Sequence, residues 1–296
     1  MKIQKVNRRY PMQKIMLFTF LSALLISSQA FGQIDLSPRI EARDGAWDEI
    51  RIQEKRPIDY QYVREADIIW QMRVWQFIDL NEKMNQPLYF PPTPIGSSRN
   101  LIQVIMDGVA RGSITPYNVV TDDFSMQILP SNDMIREFEN KSQEAQDSIL
   151  YYALMEQLGD DFDPLDVTKY YIKEDWFFDS RRSVLDVRIL GICPIKEDYD
   201  LTTGLYRGDR QLFWIYYPEA RDEFVKAPVF NRHNDAQRMS YDDLFIRRFF
   251  SGRIDKASNV HNRRIVEYYG EGLDNLLEAE RIREIIRNFE HDLWEY

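Results

Sequence analysis

The densest apolar pattern in the chain runs from Tyr170 to Tyr217. Tyr170 to Phe178 is rich in aromatic residues and ends at a polar turn, Asp179-Ser180-Arg181-Arg182. After the turn Leu185, Val187 and Ile189 alternate with Asp186 and Arg188, the period-two signal of a half-buried strand. The run then continues through Gly191 and Cys193 to Pro194. Leu212 to Tyr217 has no polar alternation, so both its faces must be covered, either as a central strand or as an edge hidden by a partner. Lys196 to Arg210 reads as a polar loop in which Gly204 and Gly208 invite turns. Together these segments predict an antiparallel sheet from about Lys169 to Tyr217.

Helical spacing brackets this region. Val63, Ala66, Ile69, Trp70, Val74, Phe77 and Ile78 fall three or four apart and predict a first helix opened by Asp59, with Met72 and Trp75 off its apolar face. Pro87, Pro91, Pro92 and Pro94 then exclude a helix and predict an extended arm carrying Tyr89 and Phe90. A second helix fits Ser98 to Arg111, with Leu101, Ile102, Ile105, Met106 and Val109 inward and Gly112 as its stop. Ile114 to Leu129 holds short strand-like pieces, and Ser131 to Leu158 has broken helical spacing. Pro218 suits the first turn of a short helix, and Ser240 with Asp243 has the spacing that opens another. A long helix closes the chain from about Leu273 to Trp294, with Leu276, Leu277, Ile282, Ile285, Ile286, Phe289 and Leu293 on one face. The expected fold class is α+β: an antiparallel β-sheet flanked by helices, with a long C-terminal helix.

The N-terminus changes the picture of where the chain works. Lys2, Lys5, Arg8, Arg9 and Lys14 precede an apolar stretch from Ile15 to Ile26, followed by small residues. That order describes a cleavable export signal over residues 1–32, cut after Ala30 or Gly32, with Met12 as an alternative start. The twelve residues from Ile15 to Ile26 are too few to span a bilayer core of roughly 30 Å, which takes about 20 helical residues. Residues 33–57 form an extended arm of low hydrophobicity, leaving 58–296 as a single α+β domain. Removal of the signal takes away five cations and moves the net charge from −10 to −15. Such an acidic chain is ill suited to follow a nucleic-acid backbone, which needs clustered Lys and Arg. Cys193 is the single cysteine, so no intramolecular disulfide can form, and its apolar surroundings predict a buried core residue.

Candidate chemistry is sparse. The three histidines, His233, His261 and His291, lack the spacing that sets two imidazoles on one helix face. The acidic run from Asp160 to Asp166 lacks the turn glycine and closing glutamate of a calcium loop and is broken by Pro164. Neither a Gly-x-Ser-x-Gly elbow nor a phosphate-cradling glycine loop occurs. No catalytic, cofactor-binding or metal-ligating residue is therefore assigned. The polar cluster Asn231-Arg232-His233-Asn234-Asp235 reads as a self-capping loop with spare hydrogen-bonding capacity.

Several blocks together resemble the GldN/PorN family of gliding-motility and type IX secretion proteins. They are Glu65 to Trp70, Ile78 to Asn85 with Pro87-Leu88-Tyr89, Lys173 to Trp176, Arg188 to Pro194, Phe213 to Pro218, Phe230 to Gln237, and Glu290 to Glu295. The resemblance implies a non-enzymatic periplasmic subunit without a cofactor. It implies a ring associated with the outer membrane through a GldK/PorK-type lipoprotein, self-association within that ring, and contact with the GldM/PorM motor protein. Trp, Tyr and Phe anchor interfaces, so the candidate contact residues are Trp70, Trp75, Tyr89, Phe90, Asn231, His233, Asn234 and Asp235. The rival expectation is a periplasmic carbohydrate-binding protein or hydrolase that uses the aromatic sheet as a platform for sugar rings.

Overall fold

The computed structural model describes residues 54–292, except 122–123, 139–147, 160–161, 201, 203, 231–238 and 271 and the side chains at 290 and 292. The expected signal peptide, most of the arm, the 231–235 cluster, Leu293 and Trp294 lie outside the described residues. The aromatic segment folds into two long strands, β3 (Val167–Asp179) and β4 (Val184–Tyr199), joined at the polar turn and paired antiparallel. They form the centre of an antiparallel sheet with β1 (Ile68–Asp79), β2 (Pro116–Tyr117), β5 (Tyr206–Gln211), β6 (Trp214–Tyr216) and β7 (Arg253–Ala257). The strand order is β2-β6-β4-β3-β1-β7, with β5 pairing the far end of β4. The protein is thus of the α+β class, with helices before and after the central hairpin.

β1 corrects the first expectation. Residues 68–79 form a strand, not a helix, and lie between β3 and β7. Its register explains the ambiguity. Val74, Gln76 and Ile78 point to one face and Trp75 and Phe77 to the other, and all five are buried. A strand covered on both faces reads as a nearly continuous apolar run, which chance spacings of three and four make helical in appearance.

Three smaller corrections follow the same logic. The proline-rich arm begins with one helical turn, α1 (Gln86–Tyr89), because Pro87 sits in the first turn, where its missing N–H costs nothing. The polar loop after β4 is the outer half of a hairpin with β5, where Lys196 faces Arg210 and Glu197 faces Asp209. That pair is held by charge, Lys169 lying 3.1 Å from Glu197 and 2.8 Å from Asp209. β7 was not anticipated, so the sheet reaches beyond the 169–217 span on both sequence sides.

The helices are α2 (Leu101–Ala110), α3 (Asn132–Phe138), α4 (Ile149–Leu158), α5 (Tyr217–Phe224), α6 (Tyr241–Ile246), α7 (Ile265–Tyr269) and α8 (Leu273–Asp292). α2 buries all five residues expected inward, and Asn100 and Gln103 close a capping box at its start. Residues of α2, α4, α5 and α6 pack with Ile78, Tyr170, Ile172, Ile189, Ile192 and Ile215 in the largest core cluster. α8 packs Ala279, Ile282 and Ile286 against Val74 and Ile254. The opposite sheet face carries Trp75, Phe77, Tyr171, Cys193, Ile195 and Trp214 beneath Tyr117, Val119 and Phe124, which belong to β2 and the segment after it. Among the described residues no helix is long and apolar enough to cross a membrane.

Candidate interaction surfaces

Several charged side chains inside the protein are tied to one another. Arg221 donates to both carboxylate oxygens of Asp242, at 2.9 and 3.2 Å, while the Tyr217 hydroxyl donates to the same carboxylate at 2.9 Å. Arg264 forks onto Asp255 at 2.6 and 3.1 Å, and the Tyr171 hydroxyl completes that group at 2.8 Å. Arg248 forks onto the fully buried Glu174 at 2.8 and 3.2 Å. Each is a charge-assisted fork whose geometry fixes one element on another. Such use of Asp and Glu is structural and leaves these carboxylates committed.

Residues 55–61 run across the helix-bearing side and are strapped down by four cations. Lys55 pairs with Asp243, Arg221 donates to the Ile58 carbonyl at 2.7 Å, Arg182 donates to the Gln61 side chain at 2.8 Å, and Arg188 donates to the Gln61 carbonyl. The Tyr60 ring lies 4.3 Å from the Arg221 guanidinium and 5.2 Å from that of Arg188, a doubled cation–π contact. Burial, opposed by Arg221, pushes the Tyr60 hydroxyl up to about 12. Burial likewise pushes the Cys193 thiol up, which leaves it a core residue and a poor nucleophile.

The four described residues expected at interfaces are scattered. Trp75 is only 5 % exposed, with the Lys256 ammonium 4.2 Å from its ring centre and that of Lys173 at 5.6 Å. Trp70 is half-buried and stacks on Phe289 of α8 at 4.6 Å. Tyr89 is half-buried, and Phe90, 41 % exposed, meets it edge to face at 5.2 Å.

Other exposed apolar residues lie away from these candidates. At the β7 side, Tyr268 and Tyr269 of α7 and Leu273, Leu276 and Leu277 of α8 are all exposed, Leu273 by 70 %. Leu276, Leu277 and Ile285 were expected to face inward but are exposed, and α8 docks through Ile282 and Ile286, as expected, together with Ala279. At the opposite end of the sheet, beside β2, Val120, Met126 and Leu129 are exposed, Val120 by 81 %. Two backbone hydrogen bonds, Asn118 N–H to the Met126 carbonyl at 2.7 Å and Ile128 N–H to the Pro116 carbonyl at 2.9 Å, hold this second surface together. The hydrophobicity of each was visible in the sequence; its exposure was not.

A family model described as "Gliding motility associated protein GldN" matches residues 63–295. The chain belongs to the GldN family. The match takes in every strand and helix given above, from β1 to α8. A GldN protein is a component of the gliding-motility and type IX secretion machinery, and the family is a structural one, not a known enzyme family. No curated protein matches the chain.

Proposed function

We propose that this GldN protein is a periplasmic structural subunit of the type IX secretion and gliding-motility machinery. In this reading residues 1–32 direct export, residues 33–57 form an arm, and 58–296 act as one domain. Copies assemble head to tail into a ring held at the outer membrane by a GldK/PorK-type lipoprotein, and the ring contacts the GldM/PorM motor protein. The family match over residues 63–295 carries the proposal.

Two features of the fold support it. A ring needs two different surfaces that meet each other, and the exposed apolar patches lie at opposite ends of the strand order, beside β2 and beside β7. The aromatic sheet face that a sugar binder would need is filled: Trp75, Phe77, Tyr171 and Trp214 are all buried. Trp70, Tyr89, Phe90, Asn231, His233, Asn234 and Asp235 remain the proposed partner contacts, with Phe90 the most exposed of those described, while Trp75 is buried and offers no surface.

Gentle solubilisation of the outer membrane, followed by electron microscopy of the affinity-purified protein, tests the reading. The expected result is a large ring that co-purifies a lipoprotein. Recovery of a monomer that hydrolyses a glycan would overturn it.

A further inference from the structure

On the helix-bearing side, between β1, β3, β7 and α8, the sheet leaves a cleft of about 320 Å³. Val74, Ile254 and Ile286 supply an apolar floor. Around it stand three arginines, Arg248, Arg283 and Arg287, with Gln76 also in the wall. Arg283 and Arg287 are four apart on α8, so their heads stand on the same side of that helix.

The polar groups are almost all donors. Gln76 is 5 % exposed, and its Nε2 has no hydrogen-bond partner. The one carboxylate in the wall, Glu174, is saturated from within. Arg248 donates to both its oxygens, and the Trp176 indole donates to Oε2 at 3.1 Å. Arg283 donates to the Gly252 carbonyl at 2.6 Å and to Glu280 at 2.9 Å, and Arg287 lies 3.6 Å from Glu284. The arginine–glutamate pairs are exposed and span one helical turn. Such pairs are worth about 0–1 kcal/mol and yield readily to a better acceptor. A cation-rimmed cleft with an orphaned buried N–H, in a chain of net charge −10, calls for an occupant that brings acceptors and negative charge. Its apolar floor calls for a hydrophobic side chain on that occupant.

We propose that this cleft binds a short acidic segment of a partner protein. One aromatic or aliphatic side chain rests on Val74, Ile254 and Ile286, and flanking carboxylates pair with Arg283 and Arg287. The inference does not require ring assembly, and its test uses the isolated chain.

The probe is a fluorescein-labelled pentapeptide, Asp-Glu-Trp-Glu-Asp, titrated with the purified chain and read by fluorescence polarisation. Neutral Asn-Gln-Trp-Gln-Asn and basic Lys-Lys-Trp-Lys-Lys peptides serve as comparisons. The acidic peptide binds saturably, at least about tenfold tighter than the neutral one, and loses affinity as salt is raised. Arg287→Glu, at an exposed position whose pairing is confined to its own helix, weakens it about tenfold, and the double change with Arg283→Glu abolishes binding. Arg281→Glu, on the same helix but outside the cleft, leaves it unchanged. Circular dichroism of each variant reports folding. Equal affinity for acidic and neutral peptides, or undiminished binding by a folded Arg287→Glu variant, would overturn the proposal. So would displacement of the peptide by inorganic phosphate at the concentration that unlabelled acidic peptide requires, since that marks a simple anion site.

Discussion

Single residues set the tolerance of the sheet centre. A β-carbon at Gly191 would sit 2.5 Å from Cζ of Phe124 and 3.0 Å from the Ile215 carbonyl oxygen. One obstacle is an aromatic ring and the other is backbone of the neighbouring strand, so neither yields freely. Gly191→Ala should cost about 1–3 kcal/mol, read as a lowered urea midpoint with unchanged slope. Trimming Phe124 to Leu in that background should recover only part of the loss, because the carbonyl remains. The Arg221–Asp242 pair is the second sensitive point, both side chains being nearly sealed from water. Arg221→Leu strands a buried carboxylate and should cost about 3–5 kcal/mol. The double change with Asp242→Leu removes both charges and should restore most of that loss in the same urea assay. A double variant as unstable as the single one would show that the fork, rather than charge compensation, holds α5 to α6.

At the scale of elements, the cap of α6 was legible in the sequence, whereas the helix that Asp59 was expected to open is not formed. The Ser240 hydroxyl accepts from the Asp243 N–H at 3.2 Å, and the Asp243 carboxylate accepts from the Ser240 N–H at 3.2 Å, closing the box expected at the start of α6. Ser240→Ala should cost about 1 kcal/mol, measured as a lowered thermal midpoint. The β3–β4 hairpin was legible because a polar turn separated two runs of strand character, and α2 because its five apolar positions shared one face. β1 was misread because burial on both faces erases the alternation that identifies a strand. The β4–β5 extension was missed for the opposite reason: its register rests on Lys169, Glu197 and Asp209, with little apolar content to reveal it. Interface candidates were chosen by residue type, and type does not report depth. Trp75 is covered by two lysines, whereas Leu273 and Leu277 stand in solvent because α8 docks through another face, and Val120 because it sits in a turn after β2.

For the whole molecule, buried tyrosines set an alkaline limit and the exposed patches set an assembly rule. Burial raises the Tyr60 hydroxyl to about 12, and burial also raises Tyr170, Tyr217 and Tyr241 above the ordinary value of 10.0. Their protonated forms favour the folded state, so this contribution is complete below pH 10.0 and is lost as pH rises toward and through 12. Phenolate absorbance should therefore rise in two phases, the exposed tyrosines such as Tyr62 ionising without unfolding and the later phase coinciding with loss of circular dichroism. The assembly rule follows from the opposite placement of the two apolar surfaces. If the β7-side patch of one copy meets the β2-side patch of the next, Leu277→Glu and Val120→Glu each destroy a different half of the same contact. Either variant alone should then fail to form higher-order assemblies. An equimolar mixture should form discrete heterodimers by mass photometry, because each variant keeps one intact patch and only one pairing of good surfaces remains. A self-complementary interface behaves differently: one substitution would abolish assembly, the other would be silent, and mixing would rescue nothing. The mixture thus separates a head-to-tail contact, which can close into a ring, from a two-fold contact, which stops at a pair.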